Sequence, residues 1–138
     1  MAYVYPQKIL FKHCDPAGIV FYPRYFEMMN DCVEAFFDEI LGLPFSTIHR
    51  EGGVPMAEIS TRFRAPSRLG DKLKISLRVT KHGRSSIGLC FHAECDGETR
   101  FETKSTLVRT NGAGRPTEWS EKVGEKINAC LKDDQNGS

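Results

Sequence analysis

The chain has no long hydrophobic run. No stretch approaches the roughly 18 to 20 uninterrupted apolar residues of a membrane-spanning helix. The opening "MAYVYPQKIL" also lacks the basic start and long apolar segment of a secretory signal. A cytoplasmic location without a membrane partner is therefore expected. An excess of one charge is missing too: 19 Lys and Arg against 18 Asp and Glu leave +1, so nothing demands a nucleic-acid partner. Paired cysteines are absent. Cys14, Cys32, Cys90, Cys95 and Cys130 are odd in number and contain no C-x-x-C, which argues for reduced thiols over a disulfide framework or a zinc site. His49, His82 and His92 have no second ligand at metal spacing, and neither a Walker-type loop nor G-x-G-x-x-G occurs. No metal and no cofactor are expected.

What is present is an ordinary globular balance, 40% hydrophobic and 27% charged over 138 residues. That suits one domain spanning 1–138, with the polar tail from about residue 132 expected to fray. Val4 to Lys12 reads as a strand, with Pro6 placing its start at an edge, and "DPAG" breaks it. From Pro23 the period changes. Phe26, Met29, Val33, Phe36, Phe37, Ile40 and Leu41 recur at three- and four-residue steps, predicting a helix from about Pro23 to Leu41 that Gly42 ends.

A loop through Pro44 and "REGG" follows, and then four extended segments. Ala57, Ile59, Thr61 and Phe63 alternate with polar neighbours, as do Leu73, Ile75, Leu77 and Val79, so each strand is expected to have one core face. Ile87, Leu89, Phe91 and Ala93 lead to a turn at Asp96-Gly97 and a returning strand from Phe101 to Val108. Trp119, Val123, Ile127 and Leu131 predict a short terminal helix behind Pro116, weakened by Gly124. The economical architecture is α+β: one antiparallel sheet of about five strands wrapped around one long helix, the shape called a hot-dog fold.

The chemistry concentrates in "HCDPAGIVFYPRYFEMMND", residues 13–31. The first turn of a helix leaves backbone N–H groups without intrahelical acceptors and attracts a developing oxyanion. Pro23 has no N–H, so Tyr22, Arg24 and Tyr25 are the available donors, and the loop is short enough to fold Asp15 back toward them. A carboxylate and an oxyanion donor would then face one carbonyl. Spacing alone leaves a second reading open, in which Asp15 only caps its own backbone in an Asp-Pro turn. Cys14 adjoins Asp15, but neighbours in an extended segment point apart, so a plain thiol is the reading there.

The run "DPAGIVFYPRYFEMMND" resembles the active-site segment of the 4-hydroxybenzoyl-CoA thioesterase family, hot-dog enzymes that hydrolyse acyl-CoA thioesters. The likeness is dense over Phe11 to Asp31 and continues in strand order to about Thr110. It implies that Asp15 is the catalytic aspartate, as nucleophile or general base, and that the Tyr22 backbone N–H holds the thioester oxygen. Some hot-dog relatives place a His where this chain has Pro23, so the hydroxybenzoyl branch is the nearer one. Asn30 aligns where that branch recognises a phenol oxygen. "TKHGRSS" matches the basic strand-end segment, making Lys81, Arg84 and Ser85 the expected contacts to the phosphates of CoA.

The resemblance implies an acyl-CoA substrate, small aromatic or of short to medium chain, and a homo-oligomer, a dimer often paired into a tetramer. Three rivals stand beside it: a thioesterase acting on an acyl carrier protein, a non-catalytic acyl-CoA-binding module, and a hot-dog hydratase or dehydratase. The last needs a His, and only His13 lies in the segment.

Overall fold

In the computed structural model, which describes residues 2–136, the helical stripe folds as α1, Pro23–Glu39. Pro23 takes the first helical position, where the N–H that proline lacks would have had no intrahelical acceptor. Beyond the last turn, Gly42 adopts φ +64, a left-handed geometry that lets the Leu43 N–H donate to the Phe37 carbonyl at 2.9 Å. The buried face is broader than the spacing indicated: Tyr25, Met28 and Cys32 join Met29, Val33, Phe36 and Phe37, while Ile40 stays 41% exposed.

Seven extended segments accompany α1. They are β1 Tyr3–Lys8, β2 Gly52–Gly53, β3 Met56–Phe63, β4 Lys72–His82, β5 Ser86–Cys95, β6 Glu98–Val108 and β7 Thr110–Asn111. Five of them form one antiparallel sheet in the order β1-β4-β5-β6-β3, and β2 pairs with β7 separately. Period-two alternation explains the core. Leu73, Ile75, Leu77 and Val79 of β4 and Ile87, Leu89, Phe91 and Ala93 of β5 are each at most 2% exposed. Burying each of the larger ones is worth about 1.5 to 3 kcal/mol. Asp96 and Gly97 both have positive φ, +51° and +80°, as a two-residue type I′ turn between β5 and β6 requires.

Four expectations change. The first strand stops at Lys8, one residue before an Ile9 N–H that still donates to the Asp71 carbonyl, and Phe11–His13 then forms a 3-10 turn. The expected loop after Pro44 contains a helix, α2 Phe45–Glu51, whose Thr47 and Ile48 N–H groups donate to the Pro44 carbonyl and whose Ile48 is fully buried. Gly52 follows it because a Cβ there would lie 1.9 Å from the Thr110 carbonyl oxygen on β7. The terminal helix is not short: α3 spans Glu121–Asn136, 16 residues, with the Ser120 Oγ accepting the Val123 N–H at 3.2 Å.

The fourth change concerns β3. Its register sets Ile59 opposite Ser105 and Phe63 opposite Phe101 on the face that meets α1, yet Ile59 and Phe63 are 38% and 47% exposed. They lie on the outermost strand, which α1 covers only in part. The other side of the sheet is finished differently. β1 pairs only as far as Leu77, and past that point Asp134 of α3 accepts the Val79 N–H at 2.8 Å while Trp119, Val123 and Ile127 are buried. Among the described residues no helix is long and apolar enough to cross a membrane.

Candidate active site

Asp15 sits in a tight hairpin. The Phe21 N–H donates to the His13 carbonyl at 2.9 Å, Cys14 bridges Val20, and the Asp15 N–H donates to the Ile19 carbonyl at 2.9 Å. Gly18, at φ +81, closes the turn by donating its N–H to the Asp15 carbonyl. The Asp15 side chain is half-buried, and its Oδ1 accepts the Ala17 N–H at 2.9 Å. That is the backbone-capping contact of an Asp turn. It occupies one oxygen and holds the carboxylate in one orientation. Oδ2 has no hydrogen-bond donor among the described residues.

The hairpin feeds directly into α1. Three N–H donors were expected at that end, and two of them are already used: Arg24 donates to the Phe21 carbonyl at 2.9 Å and Tyr25 to the Tyr22 carbonyl at 3.0 Å. The Tyr22 N–H has no acceptor among the described residues. Since His13 stands opposite Phe21, Tyr22 lies one residue outside the base of the hairpin and Asp15 two residues inside it. Both groups therefore belong to a single short unit.

His13 is part of that unit but not reactive in it. It is 7% exposed, and its Nδ1 accepts the Leu10 N–H at 2.8 Å, so the neutral ring carries its proton on Nε2. Burial pushes its pKa down, helped by Lys12 and Arg24. Cys14 is half-buried, its thiol 3.7 Å from the Leu10 carbonyl, and all five cysteines are free.

A cleft of about 470 Å³ opens between α1, α2 and the approach to β3, lined by Phe26, Met29, Asn30, Val33, His49 and Ile59 among others. Asn30 lies at this cleft, whereas Asp15 and Tyr22 do not line it. Phe63 connects the two regions: its ring packs 6.0 Å from that of Tyr22, 5.9 Å from Tyr25 and 6.5 Å from Phe26, centroid to centroid. His49, for which the sequence shows no second metal ligand, is an exposed residue of α2. It borders the cleft because α2, unread in the sequence, carries it there, and its Nδ1–H donates to the Phe45 carbonyl at 2.7 Å.

The basic segment is elsewhere in the chain. Lys81 borders a cleft on the opposite face of the sheet with Lys104 and Glu58. Arg84 pairs through Nε with Glu118 at 2.8 Å, both exposed, and the Ser85 carbonyl accepts the Arg109 N–H. This turn adjoins Val108 and the Met56 end of β3, while Tyr22 and Tyr25 contact Phe63 at the other end. The six steps from Phe101 to Leu107 along β6 separate them by about 20 Å at roughly 3.3 Å per residue. One chain does not bring Lys81, Arg84 and Ser85 together with Asp15 and Tyr22.

Known proteins share this fold. BH1999, a gentisyl-coenzyme A thioesterase, is 27% identical with a TM-score of 0.83, over 91% of this chain and 99% of that one. Slr0204, a 1,4-dihydroxy-2-naphthoyl-CoA thioesterase from Synechocystis, is 16% identical with a TM-score of 0.84, over 93% and 96%. SAV2348 from Staphylococcus aureus, solved in complex with CoA, is 15% identical with a TM-score of 0.89, over 97% and 86%. The last two show the shared fold alone. No curated protein matches the chain. A family model described as Thioesterase-like superfamily matches residues 9–127, a span that holds the hairpin, α1 and four of the five main strands. The chain thus belongs to the Thioesterase-like superfamily, with a hot-dog fold and the chemistry of a thioester hydrolase.

Proposed function

We propose that this protein hydrolyses an acyl-CoA thioester, with Asp15 as the reacting carboxylate and the Tyr22 N–H as the oxyanion donor. The observation that carries the reading is the Tyr22 N–H, the donor left without an acceptor at the start of α1, on the same hairpin unit as an Asp15 whose Oδ2 is uncommitted. Oδ2 attacks the carbonyl carbon, or takes a proton from a water that does, and the tetrahedral oxygen shifts its charge toward the Tyr22 N–H and the positive end of α1. Collapse expels the CoA thiolate. In the direct route the resulting mixed anhydride is then cleaved by water. The neutral, buried His13 lends no support to a hydratase or dehydratase that would need a protonatable His here.

The acyl part would lie toward the cleft beside α1, whose volume of about 470 Å³ suits a small aromatic or short to medium chain. Asn30 and His49 are its polar members, placed to meet a hydroxyl. The gentisyl-CoA thioesterase acts on a hydroxylated aromatic acyl group, and we extend that substrate type to this chain as the first to assay.

We further propose a two-fold dimer formed along β3, the long edge that exposes Ile59 and Phe63, with pairing into a tetramer as a further step. Antiparallel pairing of two β3 edges sets the Met56 end of one chain beside the Phe63 end of the other. The Lys81, Arg84 and Ser85 turn of one chain then approaches the Asp15 hairpin of its neighbour, where the phosphates of CoA would lie.

Thiol release from gentisyl-CoA and benzoyl-CoA by wild type and Asp15→Asn tests the reading. Loss of kcat by on the order of 10² to 10⁴ with little change in binding is expected. Full turnover by Asp15→Asn would reject the mechanism, and CoA-ester binding without any turnover by wild type would leave a binding module instead.

A further inference from the structure

Arg100 is a buried cation that the proposed chemistry does not use. It is 8% exposed, on β6 where the register with β5 shifts between Ala93 and Glu94. Its Nη1 donates to the Asp71 Oδ2 at 2.6 Å, the Ser67 Oγ at 3.1 Å and the Pro66 carbonyl at 3.2 Å. Asp71 Oδ2 also accepts the Arg68 N–H at 2.9 Å. The guanidinium thereby fixes the loop from Pro66 to Asp71 at both ends. A charge this deeply placed is retained only when well paired, since removing one partner strands the other in a dry site.

That loop in turn holds both flanks of the Asp15 hairpin. On the entering side, the Ile9 N–H donates to the Asp71 carbonyl at 2.8 Å and the Gly70 N–H to the Ile9 carbonyl at 2.9 Å. On the leaving side, the Val20 N–H donates to the Ser67 carbonyl at 2.9 Å, and Ile19 bridges Arg68. A third link reaches α1: the Tyr25 hydroxyl lies beside Ser67, and its ring packs 4.8 Å from that of Phe101, the residue after Arg100. Hairpin, helix start and sheet meet at this one loop.

We propose that Arg100 and Asp71 form a positioning unit that sets the height and angle of the Asp15 hairpin relative to the Tyr22 N–H. Neither residue touches the reacting atoms. Their action runs through the Ser67 and Asp71 carbonyls to the backbone on either side of Asp15, and it rests on the reading of Asp15 and Tyr22 given above. A shift of about 1 Å between a reacting group and its target can lower turnover by on the order of 10²-fold without loosening substrate.

The test uses Arg100→Lys and Asp71→Asn in the full chain, with folding checked by circular dichroism. Amide hydrogen exchange is followed at Asp15, Val20 and Phe21, and thiol release from gentisyl-CoA gives kcat and KM. The expected result is at least about tenfold faster exchange at those three amides, with the β4–β5 ladder unchanged. In parallel, kcat should fall about tenfold or more with KM within about twofold. A generally weakened fold would speed exchange across the sheet as well. Should Arg100→Lys not fold, Asp71→Asn and Ser67→Ala, which remove single acceptors, decide the matter.

Unchanged exchange at the hairpin in a folded variant overturns the proposal, as does unchanged kcat where wild type is active and Asp15→Asn is not. If Asp15→Asn is as active as wild type, the catalytic reading fails on its own, and unaltered hairpin exchange would still refute the brace.

Discussion

The two ends of the β3–β6 pair carry the same kind of contact in opposite settings. At the Phe101 end, Arg100 and Asp71 pair with side chains 10% and 28% exposed; at the other end, Arg84 and Glu118 pair with side chains 82% and 61% exposed. The first pair is wired into backbone on both flanks of the hairpin, the second only ties a turn to the segment before α3. Screening by water leaves the second worth about 0 to 1 kcal/mol, whereas breaking a well-buried pair costs several. An Arg–carboxylate contact is therefore structural at one end and exchangeable at the other, as the phosphate-binding role proposed for Arg84 would require.

Substitution at each end should break or preserve that contrast. Arg100→Ala should have the largest effect, lowering unfolding free energy by roughly 3 kcal/mol in denaturant titration and depressing turnover of whatever protein remains folded. An equal loss from Arg84→Ala would erase the distinction. Next comes the β3 edge between the two ends: Ile59→Lys should reduce the mass seen by light scattering to that of one chain and raise KM, because each site would lose the basic turn of its neighbour. Retention of the oligomer would move the interface elsewhere.

A smaller effect is expected from Glu118→Ala. Freeing Arg84 should change stability by under about 1 kcal/mol, while KM for a CoA thioester falls or holds and its salt dependence steepens. The smallest effect is in pH dependence. Hydrogen bonds from Arg100 and from the Arg68 N–H hold the Asp71 carboxyl below its usual range. Its contribution is thus complete above the unfolded-state value of about 3.9 and is lost as pH falls through the lower folded value. The melting-temperature gap between wild type and Asp71→Asn should be constant from pH 8 to 5 and close only in stronger acid. His13 acts in a higher window: its depressed pKa adds stability above about pH 6.5 that declines as pH drops below it, and His13→Gln should flatten that slope.

How much of this could be read in the sequence follows from where the signals are local. α1 announced itself because Pro23, an apolar period of three to four, and Gly42 all agree over one continuous stretch. The Asp96-Gly97 hairpin did so because its turn needs two positive φ values. α2 did not: seven residues with a single fully buried apolar position, Ile48, give no period to detect. The exposed inner face of β3 was also illegible, because alternation reports which side a residue takes and not whether anything covers it.

For the site, Asp15, Tyr22 and Asn30 stood out through a motif confined to one short segment. Spacing alone did not separate Tyr22 from Arg24 and Tyr25 as the free donor, a choice that only the family resemblance made, since it depends on which first-turn amides find the Phe21 and Tyr22 carbonyls. Arg100 lies between the Asp96-Gly97 turn and the strand expected from Phe101, and nothing in the sequence singles it out. Its burial comes from a loop some thirty residues earlier in the chain, a contact no local pattern encodes.

The most direct test of the central claim is pre-steady-state thiol release by wild type and Asp15→Asn at equal, saturating gentisyl-CoA. A drop of on the order of 10² to 10⁴ in the chemical step, with thioester still bound by the variant, is the predicted result. Equal rates from the two proteins would contradict it.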